Sequence, residues 1–248
     1  LVDVVVPIRR GPPVRIERIE IRGNTKTRDK VMRREMEVKE GDLFSETGLE
    51  RSRKRIIALG YFERVDLSTE EGSSPDKIKV NIEVGERPTG TFQVGAGFSS
   101  IENFIATAQV QQANLFGRGQ SFAVQAQISG LRQLVNVRFF EPYFLDSNFS
   151  MAVDLYDQLR IYNDFSQTSI GGSATWGYAL KRPSTFATLT YTGQVDRVST
   201  VARSTFLGTS SAISVFQRLP LANLFNDGFS SSLRPALTYD TRDNRLFP

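Results

Sequence analysis

From residue 90 to residue 239 the chain alternates apolar and polar side chains with a period of two, in segments about as long as a tilted bilayer-crossing strand. Along 121–129, SFAVQAQIS, Phe122, Val124, Ala126 and Ile128 fall on one face and Ala123, Gln125 and Gln127 on the other. That is strand periodicity; a helix would repeat every ~3.6 residues. The same parity recurs in Phe92, Val94, Ala96 and Phe98, in Phe104, Ala106, Ala108 and Val110, in Val135, Val137 and Phe139, and in Phe149, Met151, Val153 and Leu155. The opposite faces carry Gln, Asn, Ser, Thr, Gly and Arg. A soluble sandwich would favour Lys and Glu at its outward positions, whereas small uncharged residues suit a wet interior behind a lipid-facing wall. The soluble β-sandwich stays the competing architecture.

Charge divides the chain in the same place. Residues 1–88 hold 19 Lys/Arg and 17 Asp/Glu, and the remaining 160 positions carry only 22 charged residues. A charged surface suits water and a charge-poor alternating one suits a membrane wall, so the break marks a change of solvent. A mean hydropathy of −0.26 is no obstacle, because averaging hides an alternating signal. No run of about 18 apolar residues exists to form a membrane-spanning helix. The net charge of +4 mixes both signs in the first domain, a solvated surface with no expected nucleic-acid partner.

Three divisions are expected: 1–13 as the end of a preceding domain and linker, 14–88 as an α+β domain, and 89–248 as strands of a barrel. Residues 1–8, LVDVVVPI, read as a strand closing an earlier module, and Gly11, Pro12 and Pro13 interrupt regular structure after it. The chain thus reads as a section of a larger or trimmed protein. Residues 14–21 alternate with a parity slip, as in a strand with a bulge. A helix is expected from about Arg28 to Glu37, capped by Thr25 or Thr27, with Val31, Met32, Glu35 and Met36 around its buried side. A second helix starts at Ser45, with Phe44 stapling onto Leu49, carries a stripe of Leu49, Ile56, Ile57 and Leu59, and closes at Gly60. Strands at 61–67 and 78–84 complete the order strand, helix, helix, strand, strand.

Eight further strands are expected at about 90–99, 103–113, 120–129, 134–141, 149–159, 167–179, 185–195 and 231–239. Short turns at 114–119, 142–148 and 180–184 fall at one end, and longer loops, above all 196–230, at the other. Phe139, Phe140 and Tyr143, with Trp176 and Tyr178, fit interface girdles or ordinary strand core equally.

Chemistry of other kinds finds no support. Gly95-Ala96-Gly97 lacks the third glycine and the helix of a dinucleotide loop. The chain has no Cys and no His, which removes thiol nucleophiles, disulfides and the commonest general base and metal ligand. Asp154 with Asp157, or Asp240 with Asp243, therefore make poor catalytic or metal pairs. No catalytic residue, cofactor or metal is expected.

Specific motifs carry a resemblance. VRIERIEIRGNTKTRDKVMRREM and EGDLFSETGLERSRKRIIALGYFERVDL resemble the last polypeptide-transport-associated (POTRA) domain of the BamA family of outer-membrane protein assembly factors. ERPTGTFQVGAGFSS resembles that family's junction to the first barrel strand, and QQANLFGRGQ, FFEPYF and LTYDTRDNRLFP its turns and strand ends. The resemblance implies an α+β POTRA domain of β-α-α-β-β order followed by about half of a sixteen-stranded antiparallel transmembrane β-barrel. The family's Arg-Gly-Phe/Tyr loop motif and closing strand do not occur in these residues, so two unpaired edges are expected.

It further implies a bacterial outer-membrane location with a periplasmic POTRA domain, and insertion of β-barrel proteins by strand templating at a lateral gate. The gate strand would be Thr91, Phe92, Gln93, Val94, Gly95, Ala96, Gly97 and Phe98. Arg33, Arg34, Glu35 and Glu40 resemble the region that docks a partner lipoprotein. Tyr61, Phe62, Glu63, Arg64 and Val65 would form a POTRA edge for transient substrate pairing. Implied partners are unfolded outer-membrane proteins, accessory lipoproteins, periplasmic chaperones and outer-membrane lipid. A two-partner-secretion translocator and a passive outer-membrane channel are the alternatives.

Overall fold

The computed structural model describes residues 12–162, 165–180, 185–200 and 227–239. The strand expected at 1–8, residues 181–184 of one turn, residues 201–226 of the long loop, and Asp240 and Asp243 lie outside the described residues. Two compact units emerge, one built from residues up to Thr89 together with Phe116–Gly119, the other from Gly90–Leu115 and the residues from Gln120 on.

The first unit contains β1 (Arg15–Arg22), α1 (Asp29–Glu35), α2 (Glu46–Ala58), β2 (Phe62–Glu71) and β3 (Lys77–Glu86). β3 is central, parallel to β1 and antiparallel to β2. The parity slip in β1 is a bulge: Ile16 pairs with Ile78 and Arg18 with Lys79, leaving Glu17 as the extra residue. The bulge restores Ile19 to the face of Ile16, and both are buried with Val80, Ile82 and Val84 of β3. Val31, Met32, Leu49 and Ile56 close this core from the helices.

Local signals account for most of the helices, with two departures. The Ser45 side chain accepts the Gly48 N–H at 3.1 Å, as an N-cap should. Neither Thr25 nor Thr27 caps α1. Its N-cap is Arg28, without a side-chain hydrogen bond. The loop before it is held instead by Glu86, whose carboxylate accepts from Thr25, Lys26 and Thr27. The stripe on α2 also differs, because Ile57 is 44% exposed while Ser52 is fully buried. Leu49, Ser52 and Ile56 follow helical spacing, whereas Ile57 lies about 100° further round from Ile56. Ser52 satisfies its buried hydroxyl by donating to the Gly48 carbonyl (2.7 Å) and accepting the Glu37 N–H (2.9 Å), which ties α2 to the end of α1.

The second unit is one antiparallel sheet of eight strands: β4 (Gly90–Ser99), β5 (Asn103–Leu115), β6 (Gln120–Ser129), β7 (Arg132–Glu141), β8 (Phe149–Ile161), β9 (Phe165–Ala179), β10 (Thr185–Thr200) and β11 (Gly228–Tyr239). Neighbours in sequence are neighbours in space throughout, and the sheet is open, with β4 and β11 at its borders. Register sorts the two faces. One row across the sheet reads Phe92, Val110, Val124, Val137, Leu155 and Gly172; the next reads Gln93, Gln109, Gln125, Asn136, Tyr156, Gly171, Gln194 and Ser230.

Among the described residues no second layer covers the apolar face. Phe92, Val94, Phe98 and Leu233 are each more than 60% exposed, and among the described residues of this unit Ala152 is the one buried apolar side chain. This excludes the sandwich, whose inner faces are covered. Loop length does not separate the two ends as expected: residues 100–102 join β4 to β5 and Gly130 with Leu131 join β6 to β7, both shorter than the 142–148 turn at the other end. Phe140 also leaves the aromatic group. Adjacent strand residues face opposite ways, so Phe139 lies opposite Phe122 and Val153 on the apolar face while Phe140 lies opposite Ser121 and Ala152. On the apolar side Phe149 packs on Tyr178 with ring centroids 4.8 Å apart.

Replacing Ile56 by Ala should cost roughly 2–5 kcal/mol, through lost burial and the cavity left behind. Ile57→Ala should fall within about 0.5 kcal/mol of the parent, as surface changes do. Urea titration of the whole chain, followed by the helical far-UV signal, checks both.

Candidate functional site: sheet borders and a polar wall

Three places in the fold bear on partner binding: the two borders of the small sheet, the β4 border of the large sheet, and the polar face of the large sheet.

In the small sheet the outer border of β1 is closed by its own domain. Ile16 N–H donates to the Asp42 carbonyl, Gly41 N–H to the Ile16 carbonyl and Phe44 N–H to the Val14 carbonyl. At Ile19 two side chains take the place of a neighbouring strand. Glu40 accepts the Ile19 N–H at 3.0 Å and Arg33 donates to the Ile19 carbonyl at 2.8 Å, while the two meet each other at 3.3 Å. Arg33 also holds Asp29 at 2.7 Å. Of the residues singled out for docking, Arg33 and Glu40 thus form an internal clasp. Arg34 and Glu35 are half-buried on α1. The Ile19 N–H is the leading reason that the Glu40 carboxyl sits below its ordinary pKa.

The opposite border, β2, pairs only with β3 among the described residues. Tyr61 precedes the strand; it is buried and donates its hydroxyl to the Gly119 carbonyl at 3.3 Å. Phe62 and Val65 point into the core. The Val65 carbonyl accepts from Arg53 of α2 at 2.9 Å. Arg64 pairs with Asp66 and Glu83 on the exposed side. Of the 61–65 stretch, Glu63 and Arg64 present exposed side chains, and β2 runs on to Glu71, past the expected end at Leu67.

Glu86 is a residue that sequence reasoning passed over. Partial burial would raise its pKa, but the hydrogen bonds from Thr27, Thr25 and Lys26 overcome this and hold the carboxyl at about 2, down from 4.5. The loop it fixes meets the turn at Phe116–Gly119, where Arg28 N–H donates to the Gly117 carbonyl at 2.9 Å. Gly117 has φ +68°, and a Cβ there would lie 1.8 Å from the Lys26 carbonyl oxygen, so the position admits only glycine.

β4, the strand expected to form the gate, pairs with β5 alone among the described residues. Thr91, Phe92, Gln93, Val94, Gly95, Ala96, Gly97 and Phe98 are all exposed. Gly97 faces open space, whereas a Cβ at Gly95 would come within 2.8 Å of the Thr107 hydroxyl. A border strand of this kind offers unpaired N–H and C=O groups to any added strand.

Polar side chains interlock across the large sheet's other face. Tyr156 lies over Gly171, where a Cβ would approach its hydroxyl to 2.8 Å, and donates to the Gln194 side chain at 2.7 Å. Gln194, Gln167 and Ser169 all donate to Asp196. No group of three or more Asp or Glu able to hold a metal occurs among the described residues.

An open, strand-built wall with one bare apolar face and one hydrogen-bonded polar face, joined in sequence to a helix-and-sheet unit, defines the class: a segment of an outer-membrane-type barrel carrying a POTRA fold. The POTRA family model, "Surface antigen variable number repeat", matches residues 14–87, and the Omp85 superfamily domain matches residues 114–248. The chain belongs to the Omp85 superfamily. It is 32% identical over 194 residues to the outer membrane protein assembly factor BamA of Nitratidesulfovibrio vulgaris, covering 73% of this chain and 24% of that protein. It is 36% identical over 156 residues to BamA of Neisseria meningitidis serogroup B, covering 62% and 20%. The chain thus spans about a quarter of these relatives or less. Its fold is shared with the crystal structure of Haemophilus ducreyi BamA lacking POTRA domains 1–3, with a TM-score of 0.72 at 22% identity over 96% of this chain and 46% of that one. CdiB from Acinetobacter baumannii shares it more distantly, with a TM-score of 0.54 at 11% identity over 77% and 39%.

The lowered pKa of Glu86 has a definite consequence for stability. A depressed carboxyl contributes fully above its ordinary value of 4.5 and loses that contribution as pH falls towards about 2. Glu86→Gln should therefore melt below the parent at neutral pH, with the gap closing between those two values. Thermal melts of both proteins across that range measure it.

Proposed function

We propose that this chain is the membrane-proximal POTRA domain and first half of the barrel wall of an outer-membrane protein assembly factor. In this reading β4 receives strands of unfolded outer-membrane proteins. The observation that carries it is the uncovered apolar face of an eight-stranded wall that follows a POTRA fold directly in sequence, with β4 as its first strand and, among the described residues, its border. Inside a bilayer, water cannot satisfy that border's backbone groups, so an incoming strand is stabilised by them as β-augmentation, without covalent chemistry. The BamA relatives support the same role. The POTRA unit would lie in the periplasm and pass clients along the open part of β2, with accessory lipoproteins and chaperones as its other partners. Of the residues proposed for lipoprotein docking, Arg33 and Glu40 have their polar groups engaged with Ile19.

A polypeptide translocator of the same superfamily is the second reading, favoured by the continuous polar row from Gln93 to Ser230. Position decides between them. The chain has no cysteine, so single-cysteine probes are clean. In the full-length protein, Gln93→Cys should form disulfides with a cysteine in a client's terminal strand. Capture solely at Gln125→Cys or Asn136→Cys would replace assembly by translocation. The membrane assignment has its own test: Val124→Arg should destabilise the barrel by about 2–4 kcal/mol if it lies near the bilayer midplane. Gln125→Arg, on the other face, should be tolerated, as denaturant titration in lipid vesicles would show.

A further inference from the structure

The polar face of the large sheet carries an arginine strip that the hydrogen bonds around Tyr156 and Asp196 leave unused. A cleft of about 590 Å³ is lined by Arg132, Arg138 and Arg160 together with Gln125, Asn136 and Gln158. Arg138 stands opposite Asp154 in the register and meets it at 3.7 Å. The other two arginines have no such relief: Arg132 lies directly across from Arg160, and among the described residues neither makes an ion pair. Like charges in directly opposed positions are unfavourable unless an anion lies between them. Among the described residues two buried donors in the same cleft, Arg132 Nε and Gln158 Nε2, also find no acceptor. The other nearby carboxylate, Asp196, is occupied by Ser169, Gln167 and Gln194. The cleft is therefore rich in donors and positive charge, with its own acids already engaged.

We infer that this strip binds an acidic polypeptide segment of a client during assembly, with carboxylates at Arg132 and Arg160 and the backbone along the Gln/Asn row. Shape favours a chain over a small anion. Arg132 and Arg138 are six residues apart on one strand, about 20 Å at ~3.3 Å per residue, and the side-chain amides between them offer both donors and acceptors, as peptide groups require. Guanidinium groups match carboxylates by paired, charge-assisted hydrogen bonds. The inference rests on the assembly reading, and adds to it a site on the wall where part of the client is held while β4 receives its strand.

The test uses the full-length protein in lipid vesicles, with a photoreactive residue in place of Asn136. The probe is a denatured eight-stranded outer-membrane barrel protein with an Asp/Glu-rich segment, alongside the same protein with those acids changed to Lys. Crosslinking to the acidic segment should fall about tenfold with Arg132→Glu and Arg160→Glu together, the loss of a charged hydrogen bond or more. It should be retained with both as Lys, and the charge-reversed wall should instead capture the Lys-bearing client. Arg132→Gln with Arg160→Gln gives the same direction of change should charge reversal prevent folding. Yields indifferent to charge on either side, or crosslinks to the protein's own chain, overturn the inference. Disulfide capture at Gln93→Cys, run in parallel, keeps the two ideas separate: its failure with the charge dependence intact replaces assembly by translocation and overturns the strip's part in assembly, whereas capture at Gln93→Cys with yields indifferent to charge sinks the strip alone.

Discussion

A strand in hydrocarbon must find all its hydrogen-bond partners in other strands, because no water is there to supply them. Every interior strand from β5 to β10 meets that condition with a neighbour on each side. The condition also explains why side chains such as Phe92, Val110 and Leu155 remain outside any protein core, since lipid is their apolar environment. β4 and β11 are where the condition fails within these residues. At β4 the unpaired backbone groups are what the proposed pairing with a further strand would satisfy.

The polar face stays ordered by different means. A glycine opposite a tyrosine lets the ring cross the sheet, as Tyr156 does over Gly171, so that one side chain covers the bare backbone and reaches a second strand. The small unit relies on carboxylates that hold backbone N–H groups. Glu86 gathers a loop and Glu40 closes a strand border. Both turn residues that look like surface charge into structural parts, and both depend on partners distant in sequence.

That distance explains what the sequence reveals and what it conceals. All eight wall strands were legible, because period-two alternation is a local property set by which face meets lipid; their ends moved by a few residues where polar loops continue the pairing, as at Thr200 and Leu115. The Ser45 cap and the β1 bulge were equally local. Ile57 misled because an apolar residue can sit one step beyond a helix's buried arc while a hydrogen-bonded serine fills it. Thr25 and Thr27 misled because Glu86, distant in sequence, holds their own N–H groups and the Thr25 hydroxyl in the loop before the helix, which starts only after Arg28. Nothing within a few residues of Glu86 announces its role. The arginine strip was partly visible, since Arg138 and Asn136 share the polar parity, but its meaning needs the cross-strand register that sets Arg132 against Arg160.

The clasp of Arg33 and Glu40 on Ile19 makes the small sheet one-sided. With β1 shut and Arg53 clipping β2 at Val65, an added strand is confined to the outer part of β2 and must adopt a polarity relative to that strand alone. Copies of the domain are also denied the back-to-back pairing that two open borders would permit. One closed border halves the routes by which such a sheet could extend into a fibre.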